Sequence, residues 1–119
     1  MIETIAGFGK PIIISTGFAD YKLLKYIYKK IINIWEKKKV KSQIIFMHCV
    51  SDYPVEDRFA NLNAISTLRQ NFKKCIIGYS DHTLGTHCAE YSVLLGAKVI
   101  EKHFTIDNNF SKFRDHKIS

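Results

Sequence analysis

Four short apolar runs punctuate the chain: "PIIIST" (11–16), "QIIFMHCV" (43–50), "CIIGYS" (75–80) and "AKVIEKHFTI" (97–106). Ile12, Ile44 and Ile76 fall at two equal intervals. Runs this short and this rich in β-branched residues read as strands. Segments with helical periodicity separate them. The first, with Asp20 as N-cap, carries apolar residues at 24, 27, 28, 31 and 35, and the second, around 57–72, carries them at 62, 65, 68 and 72. The third, around 86–95, is small and apolar, with Gly96 placed as its C-cap. Strand and helix in alternation predict an α/β fold: right-handed crossovers and a parallel sheet buried on both faces. "GFG" at 7–9 reads as a turn before the first strand. With only two prolines, no linker and no low-complexity tract, the 119 residues form one domain.

Composition narrows the function classes. A hydrophobic fraction of 46% with 13% aromatics belongs to a chain that builds a core. No apolar run is long enough for a membrane span, and the start "MIETIAGFGK" lacks a signal-peptide pattern. The odd set Cys49, Cys75 and Cys88, without CxxC spacing, reads as reduced thiols in a cytoplasmic protein. The net charge of +7 invites a nucleic-acid partner, but much of it lies in "YKLLKYIYKKIINIWEKKKVK". There the lysines oppose Leu24, Ile27, Ile31 and Trp35, as on a solvated helix face, and no nucleic-acid motif accompanies them. Neither nucleic acid nor membrane is expected as a partner.

Each strand ends in polar side chains. The first closes on Ser15-Thr16-Gly17, the second on His48 through Tyr53 with Ser51 between, the third on Ser80-Asp81-His82-Thr83, and the fourth on Glu101, Lys102, His103 and Thr105. Carboxyl ends of neighbouring parallel strands converge on the ligand crevice. Imidazoles on adjacent strands, His82 and His103, can share one divalent ion. Glu101, two residues before His103, points to the same side and suits a proton acceptor. Ser15, Ser51 and Ser80 offer hydroxyls to phosphate or carboxylate oxygens. Any one of these residues alone reads as structural, and spacing alone leaves catalytic and structural readings open. His87, in the third helix, and His48, packed under a loop, are read as structural. The same histidines would also suit a metal-assisted hydrolase.

"GKPIIISTG", "HCVSDYP", "NLNAISTLR", "GYSDHTLG", "GAKVIEKHFTID" and "DHKIS", in this order, resemble the sialic acid synthase (N-acetylneuraminate synthase) family over nearly all of the chain. That resemblance weighs against the hydrolase. It implies a TIM barrel that condenses phosphoenolpyruvate with an N-acetylated amino sugar such as N-acetylmannosamine, giving a nine-carbon 2-keto acid and phosphate. It implies that His82 and His103 hold Mn²⁺ or Mg²⁺ and that Glu101 is the catalytic, proton-transferring carboxylate. Ser15, Ser51 and Ser80 would contact phosphoenolpyruvate, and Tyr53 and Asp115 the sugar. Two loops depart from the family pattern, "VEDRFA" after Tyr53-Pro54 and "SKFRDH" before Asp115-His116, and both border the sugar. Legionaminic-, pseudaminic- or coat-polysaccharide-type substrates therefore stay open.

A TIM barrel takes roughly 250 residues. The resemblance fits strands five to eight alone, so 1–119 is expected as a C-terminal half-barrel without the N-terminal half or any antifreeze-like domain. Two unpaired sheet edges would make it sticky, a homo-oligomer, or the complement of another half-barrel chain. The alternative function is a non-catalytic remnant or interaction module.

Overall fold

The computed structural model describes residues 1–119. Four strands, β1 (Ile12–Ser15), β2 (Ile44–His48), β3 (Ile76–Asp81) and β4 (Val99–Lys102), form one sheet in chain order, all parallel. Helices α1 (Ile2–Gly7), α2 (Tyr21–Lys38), α3 (Asn63–Asn71), α4 (His87–Leu94) and α5 (Arg114–Lys117) complete the chain. The equal isoleucine intervals have a direct structural meaning, since Ile12 sits beside Ile44 in register and Ile45 beside Ile76.

The core lies on one face of the sheet. Ile12, Ile44, Phe46, Ile77 and Tyr79 project there against Leu24, Ile31 and Trp35 of α2 and Ile65 and Leu68 of α3. Phe72 closes the end of this layer, its ring 5.0 Å from Phe46 and edge-on to it. Asp20 caps α2 as expected, its carboxylate accepting from Leu23 N at 2.7 Å. The left-handed Lys39 ends the helix (φ 54°), and Lys22, Lys25, Lys29, Lys37 and Lys38 are exposed on its outer face.

The other face is open, which corrects the expectation of a sheet buried on both sides. Ile13, one residue out of phase with the core isoleucines, is 61% exposed. The radius of gyration, 15.6 Å, exceeds the roughly 13.5 Å of a compact chain this long.

Three boundaries also differ from the sequence expectation. The second helix is broken: a 3₁₀ turn at Asp57–Phe59 precedes the left-handed Asn61 (φ 49°), and α3 starts only at Asn63. The fourth strand stops at Lys102 rather than reaching 106, because no strand pairs beyond it, and Phe104 and Ile106 stand exposed. The N-terminus is helical before the turn at Gly9. Trp35 Nε1 donates to Ala6 O at 3.0 Å and Lys38 Nζ to Gly7 O at 2.8 Å, which docks α1 on α2.

Candidate active site

Side chains alternate along a strand, so the face opposite the core is lined by every second residue. On β3 that series runs through Gly78 and Ser80 to His82, and on β4 through Val99 and Glu101 to His103. Ser80 and Glu101 are register partners, and Ser80 Oγ donates to Glu101 Oε1 at 2.6 Å. The pairing is charge-assisted and short.

His82 is buried and tightly oriented. Its Nδ1 lies 2.7 Å from Val50 O, and because a carbonyl only accepts, Nδ1 carries the proton. Nε2 lies 3.3 Å from Ser80 Oγ, whose single proton is directed at Glu101, so in the neutral ring the Nε2 lone pair is free. Tyr53 stacks on the His82 ring at 4.2 Å and meets His103 edge-on at 5.7 Å. The two imidazoles are 5.7 Å apart between centroids. Burial, followed by the nearby charges of Asp115, Cys49 and Glu101, raises the Tyr53 phenol above its usual pKa and keeps it a donor at neutral pH.

The sequence candidates come together. Ser15, Ser51, Tyr53, Ser80, His82 and Glu101 all line one cleft of about 390 Å³. Asp115, from α5, reaches it from the side, its Oδ2 3.9 Å from His103 Nδ1. Tyr53 and Asp115 also bound an adjoining hollow with Lys112 and Arg114. Gly17, which sequence reasoning left without a role, lets β1 end against this cleft. A Cβ there would lie 2.6 Å from Ser51 Oγ and 3.0 Å from Cys49 Sγ.

The donor set fits a divalent ion held by two imidazoles, with the Val50 carbonyl fixing the His82 tautomer as such ligands require. Nitrogen donors suit Mn²⁺ better than Mg²⁺, which takes oxygen ligands. No third His, Cys, Asp or Glu atom closes the pair into a compact triad, so water and substrate oxygens would complete a shell. The compact triad of such groups, Asp57, His87 and Cys88, lies outside the cleft, where His87 Nε2 and Asp57 Oδ2 pair at 2.5 Å on the exposed rim. His48 packs beneath the β2 loop, its Nε2 donating to Ala60 O at 2.8 Å, and burial lowers its pKa.

The alternating residues Asp81, Thr83 and Lys102 point to the helix side and form a second polar cluster there. The sequence named them only as strand ends, and their parity was the signal that separates them from the cleft.

Comparison with known proteins agrees with this geometry. The chain is 45% identical to an uncharacterised protein of Methanocaldococcus jannaschii over 100% of its own length and 33% of that protein's. It is 42% identical to N,N'-diacetyllegionaminic acid synthase of Campylobacter jejuni, over 99% of this chain and 34% of that one. The fold superposes with a TM-score of 0.81, at 38% identity, on a crystal structure of N-acetylneuraminic acid (sialic acid) synthetase from Leptospira borgpetersenii in complex with citrate. That match covers 99% of this chain and 39% of the other. The chain thus spans about a third of the length of these relatives. With residues 1–119 matched throughout by the model of that family, the chain belongs to the NeuB family.

Proposed function

We propose that the four strands are strands five to eight of a TIM barrel and carry one wall of a sugar acid synthase site. The complete enzyme would join C3 of phosphoenolpyruvate to the aldehyde carbon of an N-acetylated amino sugar. Water adds at C2, the C2–O bond to phosphate breaks, and a nine-carbon 2-keto acid and phosphate leave. The observation that carries this reading is the convergence of Ser80 and His82 from β3 with Glu101 from β4 in one cleft that also holds Ser15 and Ser51.

Ser15 and Ser51 donate to phosphoenolpyruvate oxygens. Ser80 has one proton to share between Glu101 and substrate. When it turns to the substrate, Glu101 is released as acceptor for a proton of the water that adds at C2. Tyr53 and Asp115 hold the sugar. A Mn²⁺ or Mg²⁺ ion held by His82 and His103 would polarise the sugar aldehyde.

Calorimetric titration of the chain with Mn²⁺, beside His82→Ala/His103→Ala, tests the reading. One ion bound by the wild type and none by the variant supports it. Equal heats for the two proteins overturn it.

A second reading, a half-barrel that binds other protein without turnover, is favoured by the open face and by β1 and β4 each having a single neighbour. It expects no rise in melting temperature with Mn²⁺ plus phosphoenolpyruvate.

A further inference from the structure

The backbone ladder between β3 and β4 ends at the pair Asp81↔Lys102. His82 and His103 are each the next residue, one step past the last pairing. The His82 backbone is held from its other side, by Val55 N donating to His82 O at 2.9 Å, but no ladder partner fixes the separation of the two imidazoles. Side chains of the helix-side cluster continue where the ladder stops. Asp81 is wholly buried, and its Oδ1 accepts from Thr83 N at 2.9 Å, Thr83 Oγ1 at 2.7 Å and Tyr79 OH at 3.2 Å. Lys102 Nζ donates to Asp81 Oδ2 at 3.1 Å and to Thr83 O at 2.8 Å. The residues on both sides of His82 are therefore tied to the residue preceding His103.

A buried ion pair adds little stability over an apolar pair of the same volume, because desolvation offsets attraction. Its presence directly behind the cleft calls for a role other than stability. We infer that Asp81 and Lys102 are positioning residues: a buried clamp that presets the separation and orientation of His82 and His103 for a shared divalent ion. The inference rests on the proposed metal pair, and its test separates the two.

Three variants, Asp81→Asn, Lys102→Met and the double Asp81→Asn/Lys102→Met, are compared by urea unfolding, by Mn²⁺ titration, and by the NMR signal of the His82 Nδ1 proton held to Val50 O. Each single variant should unfold at lower urea, since it leaves one charge buried without its partner. The double variant should recover most of that loss. Its Mn²⁺ affinity should stay weakened, roughly 10–100-fold, and its His82 Nδ1 proton should exchange faster than in the wild type. A folded double variant with wild-type Mn²⁺ affinity and an unchanged proton overturns the clamp. If the wild type takes up no Mn²⁺, the metal pair is refuted and the proton decides alone: faster exchange supports the clamp, unchanged exchange refutes it. Should the double variant not fold, Thr83→Val deletes one bond to Asp81 at little change of shape. A faster-exchanging His82 proton there supports the clamp, and an unchanged one overturns it.

Discussion

Gly78 should be intolerant of a single methyl group, for a reason that distinguishes backbone from side chain. It lies on β3 opposite Val99 of β4, two residues before Ser80. A Cβ at this position would lie 2.4 Å from Met47 Sδ and 2.7 Å from Val99 O. The thioether is the far end of a flexible side chain and can swing aside. The Val99 carbonyl belongs to the neighbouring strand and can retreat only if β3 and β4 separate. We expect Gly78→Ala to cost about 1–3 kcal/mol, the usual range for overpacking. At a urea m-value of about 2 kcal/mol/M, a 2 kcal/mol loss lowers the midpoint by about 1 M. The discriminating measurement is Gly78→Ala made again in a Met47→Ala background, with both midpoints read against their own parents. If the carbonyl is the obstacle, the cost persists without Met47. Complete rescue by Met47→Ala would place the strain in the side chain and refute the claim that the β3–β4 spacing is fixed here. Because Ser80 and Glu101 sit one alternation further along the same two strands, Gly78→Ala should also lengthen their 2.6 Å bond.

Other consequences follow from burial and titration. His48 has its pKa lowered by burial, so the folded chain binds fewer protons there than the unfolded one, and stability should fall as pH drops below about 6.5. His48→Gln, which can keep a donor to Ala60 O, should flatten that acid limb between pH 7.5 and 5.5 in urea midpoints; an unchanged slope would place its origin elsewhere. The Cys75 thiol is pushed up to about 11 by burial, leaving about a thousandth as thiolate at pH 8. Iodoacetamide should therefore label it slowly until urea unfolds the chain, and rapid labelling of folded protein would contradict its placement. Trp35→Phe deletes the donor to Ala6 O and should cost about 1 kcal/mol, with faster amide exchange confined to α1. Uniform acceleration across the sheet would show that Trp35 supports the core rather than the docking.

The fold was legible where one physical signal dominated. Isoleucines at equal intervals mark strands that must lie side by side, and Asp20 before an amphipathic run marks a helix start. The rest failed for identifiable reasons. Asn61 takes a left-handed conformation that no periodicity announces, so the helix expected over 57–72 breaks there. The segment 97–106 looks like one long strand because alternation continues past Lys102, but strand length depends on a neighbour to pair with. Helix α1 carries too short a pattern to declare itself, and it is held by tertiary bonds from Trp35 and Lys38. The cleft was easier to read than the elements, because the candidate residues are polar side chains at strand ends. The clamp behind it was hidden in the same letters: Asp81 and Lys102 stand beside site residues in sequence and face away from them in space.

That opposition of faces also bears on what the open side of the sheet requires. Ser80, His82, Glu101 and His103 project from the same face as Ile13, Ile45, Met47 and Val99, so the polar end of the cleft and an apolar layer below it are continuous. In a closed barrel such a layer is filled by side chains from opposing strands, which makes the floor of the site a packed core. On this chain the layer is only half made, and Ile13 meets solvent. Water reaching the floor raises the dielectric around Glu101 and the imidazoles and weakens each polar interaction the site depends on. Covering the open face should thus strengthen the cleft's chemistry as well as the fold. A Mn²⁺ affinity that rises when complementary barrel strands are added, in step with protection of the Ile13 amide, would tie the two together. Affinity that stays constant while Ile13 becomes protected would show that His82 and His103 are already set by their own two strands.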